Sequence, residues 1–376
     1  MTKTVRTNAF FPKRKARIHH PFVRNLIIYL LTFCLSVAFL RQAIPKVSQT
    51  TPYIPRISEK LAYFEQHKDE FEAVFIGSSR IYRQVSPEVF SREVETRLGQ
   101  GIKSFNFGIP AMRMPETYFW LGKILSMKPK NLKWVFVEAN LSNVDAPLAN
   151  ARTNRAIHWH TPASTLMTLK YILSRQEPPS EKASSAYSHL LPLFYNLLNL
   201  GGFSNEFDAF TNPARLQIDS VEKHDSLGNA VDGYRPLDEV SAEGPVNRRK
   251  VYLEQLDLYR ESVSSFAAEP VETSPVATAG DKAFILNFSE LISQANAAPI
   301  FVIPPRLARE GSLTSLYVEG QIETLLAFNN PSQYPTLFEP EYRFDENHLN
   351  AQGSEIFTSL LADHFVQSLN LLRSMP

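Results

Sequence analysis

The stretch Phe75-Ile76-Gly77-Ser78-Ser79-Arg80-Ile81-Tyr82-Arg83-Gln84 (FIGSSRIYRQ) decides how the chain is read. Ala73, Val74, Phe75 and Ile76 form a short apolar run that ends at a glycine, two serines and an arginine. A run of this length, closed by such residues, is the pattern of a buried strand entering a turn. A serine at that point is either a turn residue or a nucleophile. The ten residues do not distinguish the two, and the far end of the chain must.

Moving outward, a regular alternation appears. Ile57 to Glu70 has helical spacing. Ser86-Pro87-Glu88 opens a second helix, with Ser86 as N-cap and Pro87 at the first helical position, and this helix ends near Gly99. Ile102 to Phe107 reads as a strand, Pro115 to Met127 as a helix, and Leu132 to Val137 as a strand. Strands separated by helices imply right-handed crossovers and a parallel sheet covered on both faces. From about residue 145 to 280 the alternation breaks. Helical patches (Ser164 to Leu173, Tyr187 to Leu200, Arg248 to Phe266) stand between polar loops, and His224 to Tyr234 looks like a hairpin or long turn. The expectation is a large helical insertion in one α/β domain. Asp281 to Ala297 is again helical, Pro299 to Ile303 is a strand, and Ala351 to Leu372 is a terminal helix with Asn350 as its N-cap.

In an open parallel sheet, chemistry gathers beyond the carboxyl ends of the strands. Gly77-Ser78-Ser79, Asn106-Phe107-Gly108 and Glu138-Ala139-Asn140 all fall there. Just before the last helix stands FDENHLN, with Asp345 and then His348 three residues on. A serine hydroxyl needs a general base, which His348 supplies. Asp345 holds the imidazole tautomer and stabilises the imidazolium. The oxyanion expects the N–H groups of Ser79 and Gly108 and the side-chain amide of Asn140.

These blocks resemble the SGNH (GDSL-like) hydrolase superfamily from Ala73 to the chain end, apart from the insertion. The family's Gly-Asp-Ser start reads here Gly77-Ser78-Ser79, so the nucleophile falls on Ser79. The second-block glycine matches Gly108, and the Asp-x-x-His block matches Asp345 and His348. The third block departs: VEANLSN lacks the family's glycine and aspartate, and Asn140 competes with Asn143. The resemblance implies an SGNH/flavodoxin-like three-layer sandwich with no cofactor. It is strongest to a membrane-anchored subgroup that includes the D-alanyl-lipoteichoic acid biosynthesis protein and the partners of membrane-bound O-acyltransferases that decorate polysaccharides.

The amino terminus fits such a subgroup. Lys3, Arg6, Lys13, Arg14, Lys15, Arg17 and Arg24 precede any acidic residue, while the net charge of all 376 residues is only +1. The body is therefore mildly acidic and carries no nucleic-acid footprint. Phe22 to Leu40 (FVRNLIIYLLTFCLSVAFL) would span about 28 Å as a helix at roughly 1.5 Å per residue, close to the hydrocarbon thickness. Residues 1–21 read as a basic cytoplasmic leader, 22–40 as a transmembrane helix, 41–70 as stalk and leading helix, and 71–376 as the α/β domain. The positive flank puts the amino terminus inside and the domain outside a bacterial-type cytoplasmic membrane. A cleavable signal peptide is the rival, but Arg41-Gln42-Ala43 fails the small-x-small rule at its first position. The single cysteine, Cys34, excludes an internal disulfide.

Other residues invite a role. His158 and His160 stand at i, i+2 and would share a face of a strand. Zinc wants three or four ligands and no third is near, so no metal is expected. Arg155, His158 and Trp159 either rim the cleft, where an aromatic face stacks on sugar, or are ordinary surface and core residues. Arg80 and Arg83 either meet an anionic substrate or form a solvated face. The expected activity is a serine esterase or O-acyltransferase acting on acyl esters of an envelope or exported polysaccharide. The rival is a non-catalytic partner of a membrane acylation complex that keeps the scaffold for binding.

Overall fold

The computed structural model describes residues 20–43, 53–142, 144–198, 226–269 and 276–374. The basic leader, most of the stalk, Asn143 and the start of the His224 to Tyr234 stretch lie outside them. The chain divides between Thr51 and Pro52 into two units.

The first unit contributes one described element, helix α1 (His20–Ala43), 24 residues long. Leu26, Ile28, Leu31, Leu35 and Phe39 are among its exposed apolar side chains. Several others, that of Cys34 among them, lie outside the described set. Among the described residues no helix is long and apolar enough to cross a membrane.

The second unit is built on a five-stranded sheet. Helix α2 (Ile57–His67) precedes β1 (Ala73–Gly77). Then come α3 (Ser79–Gln84), α4 (Pro87–Leu98), β2 (Ser104–Gly108), α5 (Met114–Ser126) and β3 (Trp134–Glu138). The insertion supplies α6 (Asn154–Trp159), α7 (Pro162–Ser174), α8 (Pro179–Leu197), α9 (Glu243–Glu254) and α10 (Leu256–Ala268). The sheet resumes after α11 (Ala279–Ser293) with β4 (Ala298–Ile303), α12 (Gly311–Val318) and β5 (Leu325–Ala327). A small hairpin, β6 (Arg343–Asp345) and β7 (His348–Leu349), leads into α13 (Ala351–Ser374).

The strand order is β2-β1-β3-β4-β5, and every pair is parallel. Strand side chains alternate between faces, so each strand feeds two cores. Val74, Ile76, Phe105, Phe107, Val135, Val137, Phe301 and Ile303 pack with residues of α2, α5 and α11. Ala73, Phe75, Phe136, Ile300 and Val302 pack with residues of α4 and α13 on the other face. The sheet is thus the middle of three layers. Phe365 of α13 sits 5.2 Å from Phe136 and 5.5 Å from Phe90 (ring centroids), which ties the terminal helix to that second core.

The local signals of α4 are all used. The Ser86 side chain accepts from Val89 N–H, Pro87 takes the first turn, and Gly99 closes the helix at φ 72. Two expectations are corrected, and one alternative is decided. The Arg248 to Phe266 patch is two helices, because Gln255 leaves helical geometry at φ −120, ψ 28. The described part of the His224 to Tyr234 stretch, residues 226–234, forms turns and no strand, the long-turn alternative. His158 lies in α6 with His160 as its C-cap, so the two do not share a strand face.

Candidate active site

The carboxyl edge of the sheet gathers the residues singled out at the strand ends. Ser79 is the first residue of α3, directly after β1, and the Ser78 side chain caps that helix by accepting Arg80 N–H. The turn is tight. A Cβ on Gly77 would lie 2.7 Å from both Glu138 Oε2 and Ile81 Cγ1, so only glycine fits there. Glu138, the last residue of β3, holds the turn from the neighbouring strand. Its Oε2 accepts Ser78 N–H at 2.6 Å and its Oε1 accepts Arg80 Nε at 3.1 Å. Behind α3, Ser354 and Thr358 of α13 donate to the carbonyls of Arg83 and Gln84.

The far end of the chain meets this turn. Asp345 and His348 face each other across a two-residue hairpin loop, where a cross-strand pair brings side chains into reach. His348 Nδ1 lies 2.8 Å from Asp345 Oδ1, and His348 Nε2 lies 2.9 Å from Ser79 Oγ. The hairpin is held from below by Arg343. This fully buried side chain donates to the carbonyls of Leu337, Asp345 and Glu346. Asp345 Oδ1 also accepts Asn347 N–H at 2.9 Å, and Oδ2 accepts Arg248 Nε of α9 at 3.2 Å. Burial pushes the Asp345 carboxyl up. The hydrogen bonds and charge of His348, then Asn347 and Arg248, outweigh it and hold the group at about 2. Asp345 is therefore an anion at neutral pH, and with Nδ1–H facing it, His348 presents Nε2 to Ser79 as acceptor.

The expected oxyanion donors divide. Ser79 N–H stands in the first helical turn and donates to no acceptor among the described residues. Asn140 is buried two residues beyond β3. Its Oδ1 accepts from Ser142 Oγ at 2.8 Å, and its Nδ2 donates to no acceptor among the described residues. Gly108 is a correction. Its N–H donates to Asn106 Oδ1 at 2.8 Å and its carbonyl accepts from Lys60, so its backbone is already engaged. Gly108 is still required as glycine, because a Cβ would collide with the Tyr82 backbone. Asn143 lies outside the described residues.

Lys60 of α2 is a residue the sequence reading missed. Its side chain is fully buried, and Nζ donates to the carbonyls of Asn106 (2.9 Å), Gly108 (2.9 Å) and Gly233 (2.6 Å). Burial, with Arg83 nearby, pulls its ammonium well below the usual lysine value. The signal was its place at helical spacing between Ile57 and Phe64, on the face α2 buries.

A cavity of about 710 Å³ opens beside Asp345 and His348. Arg80, Arg306, Leu307, Asp345 and His348 line it, together with Tyr252, Leu258 and Tyr259 of the insertion. Arg155, His158 and Trp159 are not among its lining residues. Arg155 instead pairs with Glu116 and donates to the Pro110 carbonyl. His158 stacks on Trp120 at 5.4 Å, and Trp159 is buried. Burial explains why His158 is pushed down to about 4. A hollow of about 800 Å³ lies at the opposite, amino edge of the sheet by Leu132, Lys133 and Leu291. No histidine, cysteine or carboxylate lines it among the described residues.

No family model matches the chain, and no curated protein matches it.

Proposed function

We propose that the chain is a serine enzyme of acyl-ester chemistry. The single observation that carries this is the hydrogen-bonded series Ser79 Oγ, His348, Asp345, with links of 2.9 and 2.8 Å, beyond the carboxyl edge of a parallel sheet. Ser79 Oγ attacks the ester carbonyl while His348 Nε2 takes its proton. The tetrahedral oxyanion is met by Ser79 N–H and the Asn140 amide. His348 returns the proton to the departing alcohol, leaving acyl-Ser79. Water then attacks in an esterase, and a sugar hydroxyl in an O-acyltransferase. Both use the same residues and need no cofactor.

The resemblance to the SGNH superfamily, drawn from Gly77-Ser78-Ser79, Gly108 and Asp345-x-x-His348, supports the same chemistry. The basic leader and the apolar sequence of α1 support a single membrane span with the domain outside. On that basis the substrate is an acylated envelope or exported polysaccharide, and a membrane-bound O-acyltransferase is the fitting partner. One observation favours the rival, a non-catalytic scaffold in such a complex: Gly108 N–H is already taken by Asn106.

Labelling with a fluorophosphonate probe separates the two. The enzyme reading expects labelling of wild type and of Ser78→Ala, loss in Ser79→Ala, and strong reduction in His348→Ala. A folded wild-type chain that takes no label would overturn it in favour of the scaffold.

A further inference from the structure

Two arginines that line the cleft are anchored by buried carboxylates and leave most of their donors unused among the described residues. Arg306 follows β4 through Pro304-Pro305 and is only 6% exposed, yet it lines the cleft. Its Nη2 bonds Glu310 Oε1, and Glu310 is fixed in turn by Leu141 N–H. Nε is buried and meets no acceptor among the described residues. A buried donor left unpaired is destabilising, so its retention calls for a partner or a reason. Arg80, the residue after the nucleophile, repeats the pattern. Glu138 accepts from its Nε, and its two terminal nitrogens meet no acceptor among the described residues. The guanidinium fork suits planar recognition of carboxylate or phosphate, and a carboxylate bound at one nitrogen pre-orients the rest.

The two arginines lie on the same side of the nucleophile. β4 stands two strands from β1 in the sheet, about 10 Å at the usual strand spacing. The acidic side chains of the cleft lie by the hairpin: Asp345 is paired with His348 and Arg248, and Glu346 is held by Asn347. The Arg80 and Arg306 side therefore offers an anion N–H donors, while the lining carboxylates, Asp345 and Glu346, lie in the hairpin.

We propose that Arg80 and Arg306 form an anion subsite that takes a carboxylate or phosphate of the acylated glycan next to the ester, an inference that rests on ester chemistry at Ser79. The subsite selects a charged polymer over a neutral one. It also fixes the sugar so that its acyl ester reaches Ser79 Oγ.

The test is titration calorimetry on the full chain in detergent, carrying Ser79→Ala so that nothing turns over. The probes are methyl glucoside, methyl glucuronide and glucose 6-phosphate. One or both anions should bind at least about tenfold tighter than the neutral glucoside, and the stronger of the two identifies carboxylate or phosphate. Arg306→Gln combined with Glu310→Gln keeps a neutral hydrogen-bonded pair in place of the ion pair and should bring the preference below about threefold. Arg80→Gln should weaken it independently. Equal affinity for all three sugars, no binding of either anion, or a preference that survives both variants would each overturn the subsite. Failed probe labelling of the Ser79 chain would instead overturn the ester chemistry, so the two failures are distinct.

Discussion

Replacing Asp345 by Asn removes one charge and keeps the shape of the side chain. In the wild type, Oδ1 serves His348 Nδ1 and Asn347 N–H, and Oδ2 serves Arg248. Burial opposes ionisation, but these partners outweigh it and depress the carboxyl from 3.8 to about 2. At about 1.4 kcal/mol per pH unit, that difference corresponds to about 2 kcal/mol of stability. The folded value lies below the unfolded one. The stabilisation is therefore complete above about pH 4 and is lost as pH falls through about 2. Asp345→Asn should melt about 4 °C lower than wild type at pH 7, and the gap should close in strong acid. The chemical effect is larger. An amide turned with its NH2 toward His348 makes Nδ1 the acceptor and puts the ring proton on Nε2, where it blocks proton removal from Ser79. A loss of this kind reaches about 10⁴ in rate in serine enzymes. The assay is the second-order rate of inactivation by a fluorophosphonate, read beside thermal melts at pH 7 and near pH 2. Inactivation within tenfold of wild type in a folded Asp345→Asn chain would refute the assignment of Asp345.

Lys60→Met should cost about 3 kcal/mol or more, because the carbonyls of Asn106, Gly108 and Gly233 lose a buried donor; a change below 1 kcal/mol in a thermal melt would contradict the clamp. Gly77→Ala should drive the new methyl against Glu138 and Ile81, shift the turn before Ser79, and slow probe labelling more than tenfold for about 1–3 kcal/mol of stability. An unchanged labelling rate would show the turn to be tolerant. Phe365→Ala should cost about 3–5 kcal/mol in a melt by emptying the contact with Phe90, Trp134 and Phe136. A cost under 1 kcal/mol would mean that α13 is not tied to the sheet there.

The alternation was legible because buried parallel strands are short apolar runs that end in glycine or polar turns. β1 to β4 each ended within two residues of the expected position. β5, three residues long, and the β6–β7 hairpin were too short to show a period of two. Asp345 and His348 were legible as a motif, while the loop geometry that joins them was not. The expectation for Gly108 failed for a local reason: Asn106, on the same strand two residues earlier, reaches its N–H first. The role of Glu138 was hidden, because a carboxylate anchor from a neighbouring strand has no spacing along the chain. Arg155, His158 and Trp159 form a tempting cluster in sequence, yet Glu116 and Trp120 of α5 engage the first two and Trp159 is buried.

The most direct test of the central claim is to look for the acyl group itself. The full chain is incubated briefly with an activated acetyl ester, quenched in acid and digested, and the peptide that contains Gly77, Ser78 and Ser79 is sequenced by mass spectrometry. An acetyl group on Ser79, retained longer when His348 is replaced after loading is forced at high ester concentration, is the expected result. A chain that stays unmodified at Ser79, or carries acetyl equally on Ser78 and on surface hydroxyls, would contradict it.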